Sequence, residues 1–397
     1  MPAQSSDPSR QPGPFEGSCP ACALRFQAAI LYAQDELPVQ SCLQPGSASD
    51  ARAIERRPLE LVGCRDCGLV FNRAFDPATQ RFDQGYEETQ AYSAVFREFS
   101  DQLVDDLVAR WRPEGATVVE IGCGKGDFLE ALCRQGRCRG IGIDPAFEPG
   151  RRSPVAGVGF ERRLFSTEDI GRRADFLICR HTLEHIGPVG EFLTQITEFC
   201  RAGGVREVFF EVPDAGRIVR EGAFWDVYYE HANYFGPGAF EAAFRHARMK
   251  VVETSSLFFD QYLGLFAQPE SGGQSARASK PEGVDGWVSL MQERAAWQRS
   301  IERCPGPIVI WGSGSKGVAF ITGADPEGRI EAAVDINPHR QGRFMPGTGQ
   351  PIIAPEGLTD LQPATVIIMN PAYEAEIGAR LAALGLEPRI ELVGVRR

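Results

Sequence analysis

The sequence predicts an α/β protein in which a cysteine-bounded N-terminal region precedes two units built on parallel sheets. Two stretches predict the sheets. One runs Val118-Val119-Glu120-Ile121-Gly122-Cys123-Gly124-Lys125-Gly126-Asp127. It reads as a buried strand, a glycine turn and a helix start, where the Asp127 carboxylate suits the N-terminus. The other, Pro307-Ile308-Val309-Ile310-Trp311-Gly312-Ser313-Gly314-Ser315-Lys316-Gly317, repeats that order much later. A third observation sets the N-terminal region apart: the pairs Cys19-x-x-Cys22 and Cys64-x-x-Cys67.

Composition agrees. A chain of 397 residues with 43% hydrophobic content is expected to fold as two or three domains. A net charge of −11 without a long basic run argues against nucleic acid as the main partner. No apolar stretch is long enough to span a membrane, so no membrane partner is expected. Eleven cysteines, in a large acidic chain without an apolar signal core, read as thiols and metal ligands in a reducing cytoplasm.

Residues 1–17, rich in Pro, Ser and Gln, are expected to be a disordered tail. Residues 18–75 form the first domain. Its two cysteine pairs can each offer two thiolates to one tetrahedral Zn²⁺, and Gly68 eases the turn after the second pair. Four sulfur ligands (Cys19, Cys22, Cys64 and Cys67) close the metal's shell, so the zinc is expected to be structural. A redox role is the weaker alternative, because neither pair opens a clear βαβ helix. Cys42, in the long insert between the pairs, is not read as a ligand.

Residues 76–268 form the second domain. Tyr86 and Tyr92 precede a helix whose Phe96, Phe99, Leu103, Leu107 and Val108 recur at helical spacing. The strand before the first glycine turn covers Thr117 to Val119, and a second strand, Gly140 to Ile143, ends at Asp144. Pro149 to Val158 reads as a loop. Asp175 to Cys179 is a central strand that runs into Arg180-His181-Thr182-Leu183-Glu184-His185-Ile186. Val208 to Val212 is another strand, ended by Pro213-Asp214. Phe224 to Gly236 is dense in aromatic, acidic and imidazole groups and follows neither period, so it reads as a pocket-lining loop. A helix from Phe240, a strand from Lys250 and a strand from Phe258 to Leu263 complete the domain.

Residues 269–286, rich in Gly, Ser, Ala, Lys and Pro, read as a linker. Residues 287–397 hold a helix from Trp287 to Ile301. Strands follow at Pro307–Trp311, Ile330–Asp335 and Thr365–Met369, then a last helix after Pro371. This is expected to be a smaller Rossmann-like domain.

Open parallel sheets place ligands at the C-terminal ends of their strands. A glycine turn with an acid at the next strand end, here Asp144, is how such a sheet holds an adenosine ribose. A dinucleotide fingerprint needs Gly-x-Gly-x-x-Gly, but this turn reads Gly122-x-Gly124-x-Gly126 behind Glu120. An acid there would repel a pyrophosphate and help hold a cation. S-adenosylmethionine has a sulfonium, an ammonium and no phosphate. Glu120, Gly122, Gly124 and Asp144 are therefore its expected contacts. A strand-turn-helix without a ligand and a nicotinamide site are the alternatives.

The turn looks like motif I of the class I methyltransferases. The wider set resembles the nucleotide-sugar C-methyltransferases, which act on dTDP-4-keto-deoxysugars. That set comprises the paired cysteine knuckles, Glu120-Ile-Gly-Cys-Gly124, Leu183-Glu184-His185-Ile186 and Tyr228-x-Glu230-His231 with Tyr234-Phe235. It also includes Asp335-Ile-Asn-Pro-His-Arg-Gln-Gly-Arg-Phe-Met-Pro-Gly-Thr348. The resemblance implies a zinc-binding domain, a central class I methyltransferase Rossmann-like parallel sheet and a smaller C-terminal domain that binds nucleotide or substrate. It implies that His185 faces the pocket and that Tyr86 touches substrate. In this chain Ser315 stands where the family usually has alanine, and the insert between the cysteine pairs is long.

C-methylation needs a carbon nucleophile. A carbon next to a ketone supplies one if a base takes its proton and a donor stabilises the enolate. His231 is the candidate base, Glu230 could orient that ring or a sugar hydroxyl, and Tyr228 could donate to the oxyanion. A histidine in an aromatic stretch is commonly just packed, and Glu-His within the matched motif is what favours catalysis. His181 and His185 are candidates for cofactor or substrate contact, against a purely structural place at a helix start. His246 and His339 are expected at the surface. Lys316 and Arg343 are candidates for a nucleotide diphosphate, against ordinary exposed basic residues. The expected function is a SAM-dependent C-methyltransferase of a nucleotide-linked ketosugar. The rivals are a SAM-dependent methyltransferase of a non-sugar natural-product intermediate, a nicotinamide-dependent oxidoreductase and a non-catalytic binding module.

Overall fold

The computed structural model describes residues 14–81, 87, 89–270 and 286–394. Tyr86, most of the expected linker and residues 1–13 of the expected tail lie outside the described residues. The tail stops earlier than expected, because β1 (Phe15–Ser18) pairs with β2 (Arg25–Ala28). The physical cause is Phe15, whose ring packs 5.2 Å from Phe26 and 5.5 Å from Phe71.

The rest of the N-terminal domain is β3 (Tyr32–Pro38), a short α1 (Ala48–Arg52), β4 (Arg56–Gly63) and β5 (Val70–Asn72). The first cysteine pair lies in the β1–β2 turn and the second in the β4–β5 turn. Pro20 accepts a 2.8 Å hydrogen bond from Gly190, at the start of a helix in the next domain. A Cβ on Gly190 would lie 2.6 Å from the Ala21 carbonyl, so glycine is what lets the first knuckle dock there.

The central domain opens with α2 (Ala94–Trp111), capped by the Ser93 side chain. Next come β6 (Thr117–Ile121), α3 (Asp127–Gly136), β7 (Arg139–Ile143), β8 (Val158–Glu161), β9 (Phe176–Arg180) and α4 (Val189–Gly203). Then follow β10 (Glu207–Pro213), α5 (Ala215–Glu221), β11 (Asn233–Tyr234), α6 (Pro237–His246), β12 (Met249–Leu257) and β13 (Tyr262–Pro269). The sheet has the order β12-β13-β10-β9-β6-β7-β8. β10, β9, β6, β7 and β8 run parallel, and β13 is antiparallel to both its neighbours. This is the mixed sheet typical of the class I methyltransferase fold. β8 lies at the edge of the sheet and begins at Val158, the last residue of the expected loop.

Two expectations are corrected here. Phe258 to Gln261 is a turn between β12 and β13, with left-handed φ at Phe258, Phe259 and Asp260. Its aromatic content suggests a strand, yet Phe258 is buried by ring packing, stacked 5.4 Å from Tyr262 and tilted 4.9 Å from Phe99. The stretch from Phe224 to Gly236 is more than a pocket loop. Phe224, Trp225 and Tyr229 are fully buried in a core shared with the domains on either side. Its β11 completes the N-terminal sheet, β11-β5-β4-β3.

The C-terminal domain contains α7 (Val288–Arg303), β14 (Ile308–Trp311), α8 (Ser315–Ala324), β15 (Ile330–Val334) and β16 (Ile352–Ile353). It ends with α9 (Leu358–Leu361), β17 (Thr365–Ile368), α10 (Glu374–Ala383) and β18 (Arg389–Leu392). Its sheet is parallel throughout, in the order β16-β15-β14-β17-β18. Phe224 stacks on Phe320 of α8 at 5.8 Å, joining this domain to the central one. Among the described residues no helix is long and apolar enough to cross a membrane.

Candidate active site

The C-terminal strand ends of both sheets open into one cavity of about 1370 Å³. A site for one drug-sized ligand is roughly 300–1,000 Å³, so this cavity has room for two. Glu120, Gly122, Gly124, Asp144, His181, His185, Tyr228, Glu230, His231 and Lys316 all line it. Arg343 does not: it is exposed, in the turn that precedes β16, and the buried Arg340 lines the cavity instead. Arg340 is held inward by its guanidinium, which donates to the Glu87 carbonyl.

The cofactor end is built by β6, β7, β9 and β10. The turn after β6 has left-handed φ at Gly122 and Gly124. A Cβ on Gly122 would lie 1.8 Å from the Thr182 hydroxyl, so this glycine makes room for a neighbouring strand end. Asp144 accepts from the Gly124 amide at 2.8 Å and from the Ala146 amide at 2.7 Å. Its first task is thus to brace the turn. Glu120 is 2% exposed and its Oε2 has no partner. Burial drives its carboxyl up to about 8, with Asp144 and Glu211 adding to the rise and Arg180 opposing it. An orphaned, buried acid at the cavity floor fits a ligand that brings positive charge. These residues fit S-adenosylmethionine.

The acid beneath is Glu211, at the C-terminal part of β10. Burial alone would raise Glu211, but the Arg180 guanidinium at 3.1 Å and His181 hold it down at about 2. His181 has a left-handed φ of 48°, which turns its ring so that Nε2 lies 2.5 Å from Glu211. Its ring also meets Tyr262 edge-on at 4.5 Å. The strand-end position of Glu211 was legible; its pairing was not.

The other end of the cavity gathers imidazoles. His185 and His231 meet edge-on with centroids 4.9 Å apart, and Tyr228 lies 4.1 Å from His231. His185 Nδ1 is 2.9 Å from the Glu230 carbonyl. A carbonyl only accepts, so Nδ1 carries the proton and Nε2 is left as an acceptor. Burial pushes His185 down to about 4 and His231 well below its ordinary value, with neighbouring His185, His181 and Lys316 adding to the fall at His231. Both rings are neutral at physiological pH. Burial raises Tyr228 well above its usual range, so it keeps its proton. Glu184 is buried with an unpartnered Oε2, and burial lifts its carboxyl to about 7.

Lys316 is engaged by protein. Its Nζ lies 3.1 Å from Asp226 and donates to Gln261 at 3.0 Å. Burial alone would raise Asp226; the Arg217 guanidinium and Lys316 outweigh it and hold the carboxyl below its usual value.

The four cysteines come together as the spacing required. Sγ of Cys19 and Cys67 are 3.5 Å apart, and Cys22 and Cys64 are 3.7 Å apart. A tetrahedral Zn²⁺ with bonds near 2.3 Å has S···S edges of about 3.8 Å, so the cluster fits that ion. All four thiols lie within 4.8 Å of one another, which supports a structural zinc.

The comparisons agree with this geometry. A family model described as a methyltransferase domain matches residues 93–254, and one described as a C-methyltransferase C-terminal domain matches residues 295–387. The chain is an S-adenosylmethionine-dependent methyltransferase with a four-cysteine zinc-binding cluster. It is 26% identical over 368 residues to the C-methyltransferase NovU of Streptomyces niveus, covering 84% of each chain. It is 33% identical over 101 residues to a ubiquinone biosynthesis O-methyltransferase of Azorhizobium caulinodans, covering 23% of this chain and 39% of that relative. Among solved structures, magnesium protoporphyrin IX methyltransferase from Synechocystis PCC 6803 matches 44% of this chain and 84% of its own, at 16% identity and a TM-score of 0.35.

Proposed function

We propose that this methyltransferase alkylates the carbon next to the ketone of a nucleotide-linked deoxysugar. The observation that carries the reading is the pair of neutral imidazoles, with a protonated tyrosine beside them, at the far end of the cofactor cavity. A carbon next to a ketone has no lone pair until a base removes its proton, and the imidazole pair supplies that base. The extension of the cavity over the ends of β14, β15 and β17 supports a second, nucleotide-sized moiety on the acceptor. The similarity to NovU along most of the chain supports a C-methyltransferase.

In this reading His231 takes the proton from the carbon next to the ketone. The enolate's negative charge forms as the imidazole gains its proton and offsets the burial that otherwise disfavours imidazolium. Tyr228 donates to the enolate oxygen. His185 supports the base through its fixed tautomer, and Glu230 holds an acceptor hydroxyl. S-adenosylmethionine supplies an activated methyl group, so the protein's remaining task is alignment, which can contribute roughly 7–11 kcal/mol.

The test is mass spectrometry of dTDP-4-keto-deoxyhexoses incubated with the protein and S-adenosylmethionine in deuterated buffer. The expected product is one methylene heavier. His231→Asn is expected to lower turnover by about 10²–10⁴-fold while S-adenosylhomocysteine affinity by calorimetry stays unchanged. Full turnover in that variant would remove the base assignment. No product and no deuterium uptake by the wild type, with the cofactor still bound, would remove the sugar.

A further inference from the structure

Glu230 is held by a residue from another domain. The Ser41 amide donates to Glu230 Oε2 at 2.9 Å, and the Ser41 hydroxyl donates to the same oxygen. Ser41 Oγ also lies 2.7 Å from Ser315 Oγ, and Cys42 Sγ lies 3.3 Å from Ser315 Oγ. A hydroxyl carries one proton. With Ser41 donating to the carboxylate, Ser315 donates to Ser41, and the Cys42 thiol is the donor to Ser315. The row has one direction, and it ends on Glu230.

Its members come from three places. Ser41 and Cys42 follow β3 in the insert of the zinc domain and are buried, Ser41 at 1% exposure. Ser315 is the first residue of α8 in the C-terminal domain. Glu230 lies in the loop between α5 and β11. Nothing in the order of the sequence joins them, since Ser41 and Ser315 are 274 positions apart.

We propose that Ser41 and Ser315 are positioning residues: they fix the Glu230 carboxylate through Oε2, turn Oε1 toward the acceptor, and make that orientation depend on the C-terminal domain being docked. The proposal rests on the reading of Glu230 as an acceptor contact. Ionisable groups that line the same cavity as Glu230 are Tyr228, His231 and Asp226 on its own loop, Glu184 and His185 after β9, Lys316 on α8 and Cys42 in the insert. Burial lifts the carboxyl and the two Ser41 bonds oppose the rise, leaving it at about 7. Loss of the row should therefore raise its titration midpoint.

The test is infrared titration of the full chain labelled with ¹³C-glutamate, taking the difference against Glu230→Gln. Ser41→Ala is expected to raise the Glu230 midpoint by about one pH unit, the size of one lost hydrogen bond to a charged group. Ser315→Ala should raise it less, and Ser315→Thr, which keeps the hydroxyl, should restore it. S-adenosylhomocysteine affinity should stay within twofold in all three, which checks that each variant is folded. An unmoved midpoint in Ser315→Ala would overturn the proposal, as would a Thr variant that behaves like Ala. Because the titration needs no turnover, a shifted midpoint in a protein inactive on ketosugars would uphold the positioning and remove the sugar reading.

Discussion

The chain contains the same strand, glycine turn, helix and acid twice, and the two copies do different work. After β6, Gly124 donates to Asp144; after β14, the Ser313 amide donates to Asp335 at 3.1 Å. In both, the strand-end acid also accepts from the amide two residues on, Ala146 at 2.7 Å and Asn337 at 2.9 Å. The turns therefore share one scaffold. They differ at the second residue before the first glycine, which is Glu120 in one and Ile310 in the other. Glu120 is an orphaned acid facing the cavity, while Ile310 is fully buried in apolar core. The second turn instead sends Ser315 and Lys316 to partners in the other domains. A glycine turn supplies a geometry; the residues beside it decide whether it offers the cavity an unpaired acid or also ties domains together.

The strongest way to break this contrast is at its point of difference. Glu120→Gln should weaken binding of S-adenosylmethionine by at least about tenfold, about 1.4 kcal/mol, whereas Ile310→Val should leave affinity alone and cost about 0.5–1.5 kcal/mol of stability. Calorimetry and urea unfolding separate the two, and equal losses of affinity would end the distinction.

The pH dependence sharpens it. Burial raises the Glu120 carboxyl from 4.5 to about 8. Between those values the folded chain holds a proton that the unfolded chain has lost. The ligand-free protein therefore loses stability at this group as pH rises through that window. A cation paired with Glu120 needs the ionised form, so affinity for S-adenosylmethionine should climb towards pH 8 and then level off. Glu120→Gln should flatten the profile; a profile that stays steep in that variant would assign the proton elsewhere.

A change at the second turn should act on stability and leave affinity alone. Lys316→Met removes the bond to Gln261 and one of the cations beside buried Asp226, while Arg217 remains. We expect a loss of about 1–3 kcal/mol in stability, read by thermal unfolding, with S-adenosylhomocysteine affinity kept within twofold. A large loss of affinity would mean that this turn also serves the cofactor.

The smallest expected effect concerns another pair of related turns. Gly68 follows the second cysteine pair with φ 78°, and Ala23 holds the matching place after the first with φ 60°. Ala23→Gly should stabilise the zinc domain by about 0.5–1 kcal/mol by relieving a left-handed alanine. A loss of stability would mean that the alanine methyl packs usefully.

The sequence by itself determined what is local. Glycine spacing, the acid at Glu120, the cysteine pairs and the short apolar strand runs depend on backbone geometry and ligand chemistry within a few residues, and so the sheets, the cysteine cluster and the turn at the cofactor end were legible. The Tyr228-Glu230-His231 cluster was legible because three reactive side chains fall within four positions. Only the tertiary structure decided which distant groups complete the site. Ser41 sits in an insert with no readable pattern, and its meeting with Glu230 and Ser315 depends on three domains packing on one aromatic hub. The same packing chose Arg340 over Arg343 for the cavity. Burial made neutral imidazoles of His185 and His231. These outcomes follow from long-range contacts and from removal of water, and neither is written in the spacing of neighbouring residues.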